Sequence, residues 1–168
     1  MFEWLFDFLE RGGPVLYGIL LVCVLLWTLI LERLWFYYLA MPQRIKHYQQ
    51  DWFVRQERTS WTARKIRAFM ISQFKLEAQQ WQSLITILIA ICPLLGLLGT
   101  VTGMISVFDV LAVTGTGNPR AMAAGISKAT LPTMAGLLIA LTGLYFKARF
   151  KRLSKNGQQR LADALRTE

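Results

Sequence analysis

The sequence predicts an all-α membrane protein that crosses the bilayer three times. Three stretches contain no charged residue: Gly12 to Leu31, Ala78 to Phe108, and Ala129 to Phe146, the shortest at 18 residues. Each is long enough to cross a hydrocarbon layer about 30 Å thick as a helix. Hydrophobic residues make up 54% of the chain, a share that soluble domains rarely reach. The fold class is therefore polytopic and helical.

The basic residues are segregated along the chain, and this predicts its orientation. Of the nineteen Lys and Arg residues, nine lie between Glu32 and Ser83 and seven lie from Lys147 onward. Three crossings that alternate sides predict this distribution, and the positive-inside rule then places both basic segments in the cytoplasm. The net charge of +9 is explained by this topology and by contact with anionic lipids, so nucleic-acid binding is not favoured.

Sequence patterns divide the chain into seven segments. Residues 1–13 place apolar and acidic side chains on opposite helical faces, which predicts an amphipathic helix on the outer face. The other segments are a first span over 14–31, a cytoplasmic helical loop over 32–83, a second span over 84–108, a periplasmic loop with the start of the third helix over 109–128, a third span over 129–146, and a basic cytoplasmic tail over 147–168. Pro42 is expected to interrupt the helix that continues inward from the first span.

The second and third spans are rich in small and hydroxyl-bearing residues, unlike the first. In ICPLLGLLGTVTGMISVF, a helical projection aligns Pro93, Gly96, Thr100, Gly103 and Ser106 or Val107, and Gly99 forms a GxxxG pair with Gly103. In ATLPTMAGLLIALTGLYF, a similar stripe contains Thr133, Gly136, Ala140 and Gly143. Close helix packing in lipid explains any one of these small residues without a further function.

Prolines and threonines inside these two spans favour an interior lined by protein or water. Pro93 and Pro132 each leave a carbonyl four residues earlier without its usual partner, which is tolerated where protein or water supplies one. Thr100 and Thr133 place hydroxyl groups near the middle of their spans. Each hydroxyl could instead bond to a carbonyl of its own helix without any function.

Two motifs carry a resemblance to a known family. CPLLGLLGTVTGMI resembles the Pro-x-x-Gly-x-x-Gly-Thr-Val stretch of the MotA/TolQ/ExbB proton-channel family, and GISKATLPTMAGL resembles its Gly-Ile and Thr-x-x-Gly-Leu stretches. The order of the motifs, the three spans and the basic inner loop agree with the family. The resemblance is specific over residues 84–149 and general in the first span. Within the family, the sequence is most similar to the ExbB branch, and TolQ is close.

The resemblance implies a homo-oligomeric ring, pentameric in this family, in the bacterial inner membrane with a periplasmic N-terminus. Its pore would be lined by the second and third spans and would enclose the single-span helices of an ExbD-like partner, while a TonB-like protein would receive the motion. Thr100 and Thr133 match the family's pore threonines by position. Helix packing and pore shaping are assigned to Pro93, Gly96, Gly99, Gly103, Pro132, Gly136 and Ala140.

Lys128 departs from the family pattern. ExbB and TolQ commonly carry a Glu in the neighbourhood where this sequence has Lys128, so conduction through that carboxylate is not expected here. The long stem of a lysine can carry its amine to the outer headgroups. The alternative is pairing with an acidic residue of a partner or with lipid phosphate.

No Asp, Glu or His lies within any of the three spans. A proton relay needs a titratable group, and a threonine hydroxyl does not take up and release a proton near neutral pH. We therefore expect the essential carboxylate to come from the ExbD-like chain of a motor that uses proton motive force to drive outer-membrane transport. No catalytic set, metal cluster or cofactor motif is present, so an enzyme is not indicated. The alternatives are a TolQ-like subunit for envelope integrity and a non-conducting scaffold.

Overall fold

Long helices make up the protein. The structure is a computed structural model that describes residues 3, 8–9, 12–54, 60–115 and 119–165, and no β-strand occurs among them. The helices are α1 (Pro14–Trp35), a π-helical turn (Phe36–Ala40), α2 (Met41–Phe53), α3 (Trp61–Gln79), α4 (Gln82–Thr114) and α5 (Pro119–Ala164). Three of the described helical stretches are long and apolar enough to cross a membrane: Pro14–Phe53, Trp61–Val113 and Met122–Ala164. The expected all-α fold with three spans is confirmed.

The expected interruption at Pro42 is wrong. The helix widens into the π-helical turn Phe36–Ala40, and α2 then continues with Pro42 in its first turn. At the end of the π-helical turn, the Met41 N–H donates to the carbonyl of Phe36, five residues earlier. A proline lacks an N–H group and crowds the carbonyl four residues before it, and a wider turn at that point relieves both problems. The helix therefore passes the proline without breaking.

The described residues form two compact units. The first consists of the described residues of Met1–Trp27 together with Thr86–Leu144, and the second of Thr28–Ile85 with the described residues of Tyr145–Glu168. The predicted helix over residues 1–13 lies mostly outside the described residues. Within the first unit, Leu9 is buried in a cluster with Leu16 and Ile19.

The second unit buries large side chains and caps the C-terminal end of α3. Trp52, Phe74, Phe150, Leu161 and Leu165 are at most 1% exposed. The hydroxyl of Tyr37 donates to the carbonyl of Ala78, and the amide of Gln82 donates to the Tyr37 oxygen at 2.8 Å. The guanidinium of Arg33, buried and paired with Glu32 at 2.8 Å, reaches the Glu77 carbonyl at 3.4 Å. These side chains satisfy carbonyls that every helix end leaves without an internal partner.

Candidate functional site

In the first unit, α4 and α5 run antiparallel with their small-residue stripes in contact. A Cβ added at Gly96 would lie 3.0 Å from the Cα of Thr133, and one added at Gly103 would lie 2.6 Å from the Cα of Ala129. As the residue number increases along α4, the number of the residue that it contacts on α5 decreases, so the two helices are antiparallel. The stripes that the sequence predicts for the two spans therefore face each other, backbone against backbone.

The same close approach continues along the helix pair. Gly136 lies against the carbonyl oxygen of Cys92, and Gly125 lies against the side chain of Val107. Ala140, on the same stripe, is 5% exposed. Without a driving force from water, helices in lipid associate through this type of tight van der Waals contact between small residues. Gly96, Gly103, Gly125 and Gly136 therefore lie along one interface between α4 and α5.

Thr133 lies at the centre of this interface with an unsatisfied hydroxyl. Its Oγ1 is buried, and among the described residues it is the one buried hydroxyl oxygen without a hydrogen-bond partner. Other hydroxyls of the spans bond to carbonyls of their own helices, as Thr142 does to Ile139 at 2.8 Å. A buried hydroxyl left without a partner costs about 1–3 kcal/mol. Thr133 therefore places an unpaired hydroxyl where packing alone would favour an apolar side chain.

Thr100 differs from Thr133 in its surroundings. Its hydroxyl donates to the Leu97 carbonyl of its own helix at 2.7 Å, and this bond is exposed. Thr100 follows Gly96 by one helical turn, and Gly96 contacts Thr133 directly. The structure thus brings the two predicted pore threonines to neighbouring turns of facing helices, one hydroxyl being exposed and the other buried.

The two prolines have different surroundings. Pro132 is fully buried, and its ring fills the space that Gly99 leaves open on α4. Val15 of α1 approaches the same glycine, 3.5 Å from where its Cβ would lie. Pro93 is only partly buried, within the continuous helix α4. Of the two prolines assigned to helix packing, Pro132 therefore contacts the facing helix through its ring.

Lys128 lies at the edge of the helix pair that the start of α1 covers. Its Cε lies 2.9 Å from the position that a Cβ on Gly13 would occupy. The Lys128 side chain also lines a cavity of about 240 Å³ together with Thr102 and Ser106. The sequence placed Ser106 or Val107 on the small-residue stripe, but it assigned a site role to neither of these two hydroxyls. They are four residues apart and share one side of α4, a spacing that could have indicated a polar face.

Comparisons with known proteins agree with this architecture. Residues 40–163 match the model of the MotA/TolQ/ExbB proton channel family. The chain is 28% identical to the biopolymer transport protein ExbB-like 1 of Synechocystis over 172 residues, which covers 83% of this chain and 68% of the relative. It is 51% identical to the biopolymer transport protein exbB1 of Vibrio cholerae over 59 residues, covering 34% of this chain and 26% of the relative. Because the family match covers well over half of the chain, the protein belongs to the MotA/TolQ/ExbB proton channel family and is a membrane channel subunit.

Proposed function

We propose that this chain is the channel-forming subunit of an ExbB-like motor in the bacterial inner membrane, where proton motive force drives outer-membrane transport. Five copies form a ring, with the N-terminus in the periplasm and the C-terminus in the cytoplasm. The basic loop and tail, which hold sixteen of the nineteen basic residues, support this orientation and contact with anionic lipids. The two relatives named as biopolymer transport proteins support a transport role.

The buried Thr133 hydroxyl is the observation that carries this proposal. It lies between two closely packed helices, and none of the described residues satisfies it. A site of pure helix packing gains nothing from such a hydroxyl, because a methyl group of the same shape would avoid the cost of desolvation. A site that orders water or receives a polar group from a partner does gain from it. Thr100, one turn away on α4, adds an exposed hydroxyl oxygen to the same region.

The titratable group on the proton path comes from a second chain. The three spans contain no Asp, Glu or His, and a hydroxyl does not gain or lose a proton as a charged group near neutral pH. A single-span, ExbD-like helix in the pore supplies the carboxylate. Its protonation cycle moves the helix, and a TonB-like protein carries the motion outward.

A pair of threonine substitutions tests this function. Thr133→Val keeps the shape of the side chain and removes the unsatisfied hydroxyl, whereas Thr142→Val removes a hydroxyl that only bonds within its own helix. We expect Thr133→Val to lower proton-driven uptake across the outer membrane by at least about tenfold, a barrier change of roughly 1.4 kcal/mol. Thr142→Val should leave uptake near the wild-type level.

Two readouts separate the alternatives. The native mass of each variant shows whether the assembly persists, so a loss of uptake in an intact assembly supports the channel role. Wild-type uptake in the Thr133→Val variant would contradict it. If the cells with that variant also retained their periplasmic proteins, a scaffold would be favoured. If they leaked periplasmic proteins, a TolQ-like role in envelope integrity would replace the ExbB-like one.

A further inference from the structure

The cavity beside Lys128 has a composition that the channel function does not use. It lies in the first unit, where the start of α1 meets α4 and α5, and has a volume of about 240 Å³. Its polar groups come from Thr102, Ser106 and Lys128, and glycines, including Gly13 and Gly99, form much of the remaining wall. Among the described residues that line it, Lys128 is the one that carries a charge. We refer to this space as the Lys128 cavity.

The stem of Lys128 lies against Gly13, and its ammonium group has no partner among the residues that the structure describes. The stem of Lys128 packs on Gly13, where a Cβ would come within 2.9 Å of Cε and 3.8 Å of Nζ. Gly13 also has φ +73°, a conformation that favours glycine for a second reason. Among the described residues, no carboxylate lies within ion-pair distance of Lys128. A partly buried cation without a counter-charge favours binding of an anion.

The two hydroxyls of the cavity can accept hydrogen bonds but have already used their protons. Thr102 donates to carbonyls of its own helix at 3.0 and 3.1 Å, and Ser106 donates to the Thr102 carbonyl at 3.1 Å. Their oxygen lone pairs remain available. A ligand that fits all three side chains therefore has an anionic group for Lys128 and a hydroxyl donor for Thr102 or Ser106.

The surroundings of the cavity favour a lipid as the source of that ligand. Leu98 and Ile105, one turn to either side of Thr102, are 50% and 54% exposed and offer an apolar surface for acyl chains. Lys128 directly precedes the uncharged stretch that begins at Ala129, which is the level where the phosphate layer is expected. An ethanolamine or choline headgroup would bring a second cation toward Lys128, whereas a glycerol headgroup brings hydroxyl donors.

We propose that the Lys128 cavity binds the phosphate and headgroup of an anionic, hydroxyl-bearing phospholipid such as phosphatidylglycerol. Lys128 pairs with the phosphate, and Thr102 and Ser106 accept hydrogen bonds from the headgroup. This site is separate from Thr133 and does not depend on proton conduction. Its failure would therefore leave the proposed channel function intact, and the reverse also holds.

The test is a titration of the purified full-length protein with phosphatidylglycerol in detergent, with bound lipid counted by native mass spectrometry. We expect Lys128→Gln to raise the dissociation constant of the first bound phosphatidylglycerol by about tenfold, because the variant loses one hydrogen bond to a charged group. Lys128→Arg should restore most of the affinity. Arg120→Gln is the matched control, because it removes an exposed charge from the same helix that does not line the cavity.

A second variant blocks the cavity without changing its charge. Ser106→Leu fills the space with an apolar side chain and should also weaken phosphatidylglycerol binding, while phosphatidylethanolamine should bind less well than phosphatidylglycerol to the wild-type protein. Equal binding by the wild type and Lys128→Gln would overturn the proposal, as would an equal loss in Arg120→Gln. If Lys128→Gln abolished retention of a single-span partner and left lipid binding unchanged, the ammonium would serve a protein carboxylate and the lipid site would be rejected.

Discussion

The Cα of Ala129 lies against Gly103, only 2.6 Å from where a Cβ on that glycine would stand. This contact leaves no space for a side chain at residue 103. We expect Gly103→Val to lower the free energy of unfolding by about 1–3 kcal/mol, because overpacking forces the helices apart. The measurement is unfolding of the purified protein in mixed detergent micelles.

Gly18 provides the matched control for this substitution. It is also a helical glycine in a span, but apart from the nearby backbone of its own helix and its chain neighbours, no described atom lies within 4 Å of its Cβ position. Gly18→Val should therefore change the free energy of unfolding by less than about 0.5 kcal/mol. Similar losses in the two variants would mean that the valine side chain itself, and not the contact with Ala129, is responsible.

The proposed ring of five copies predicts a specific native mass. The chain has a mass of 19.2 kDa, so the protein expressed alone should give a particle of about five times that value after subtraction of detergent. Native mass spectrometry or light scattering measures this directly. A monomer at all concentrations would contradict the homopentamer and leave an obligate hetero-complex or a scaffold.

The absence of Asp, Glu and His from the three spans predicts the behaviour of the protein in liposomes. Reconstituted alone, it should conduct protons no faster than the lipid background, because the spans hold no Asp, Glu or His to take up and release a proton near neutral pH. Co-reconstitution with the proposed single-span, ExbD-like partner should raise the flux measured by a pH-sensitive dye. Strong conduction by this protein alone would rule out a carboxylate supplied by another chain.

Two neighbouring tyrosines of the second unit, Tyr37 and Tyr38, should differ in how much their hydroxyl groups contribute to the free energy of unfolding. The Tyr37 hydroxyl is buried and bonds to both Ala78 and Gln82, whereas Tyr38 is 55% exposed and accepts one bond from Arg149 at 2.8 Å. We expect Tyr37→Phe to lower the free energy of unfolding by about 1–2 kcal/mol. Tyr38→Phe should cost less than about 0.5 kcal/mol, and equal effects would contradict a capping role for Tyr37. Thermal unfolding followed by circular dichroism gives both values.

Much of the fold could be predicted from the sequence because bilayer thickness sets the length of an uncharged helix. The facing stripes on α4 and α5 were also predictable, since small residues at helical spacing project on one side. The π-helical turn before Pro42 was not, because a proline can end a helix or be absorbed by it, and tertiary packing decides between these outcomes. Periodicity also could not distinguish the buried hydroxyl of Thr133 from the exposed one of Thr100. That difference depends on which turn of α4 lies opposite Thr133 and which turn of α5 lies opposite Thr100.

The contacts of Gly96, Gly103 and Gly136 have a mechanical consequence. Where two helices meet through backbone atoms, few side chains lie between them. Changes of side-chain rotamer therefore cannot accommodate a shift of one helix relative to the other. We expect α4 and α5 to move as one rigid body within the first unit. In the proposed ring, the pore would open and close through changes at the interfaces between neighbouring subunits. Each helix pair would tilt while the distance between its two helices stayed the same.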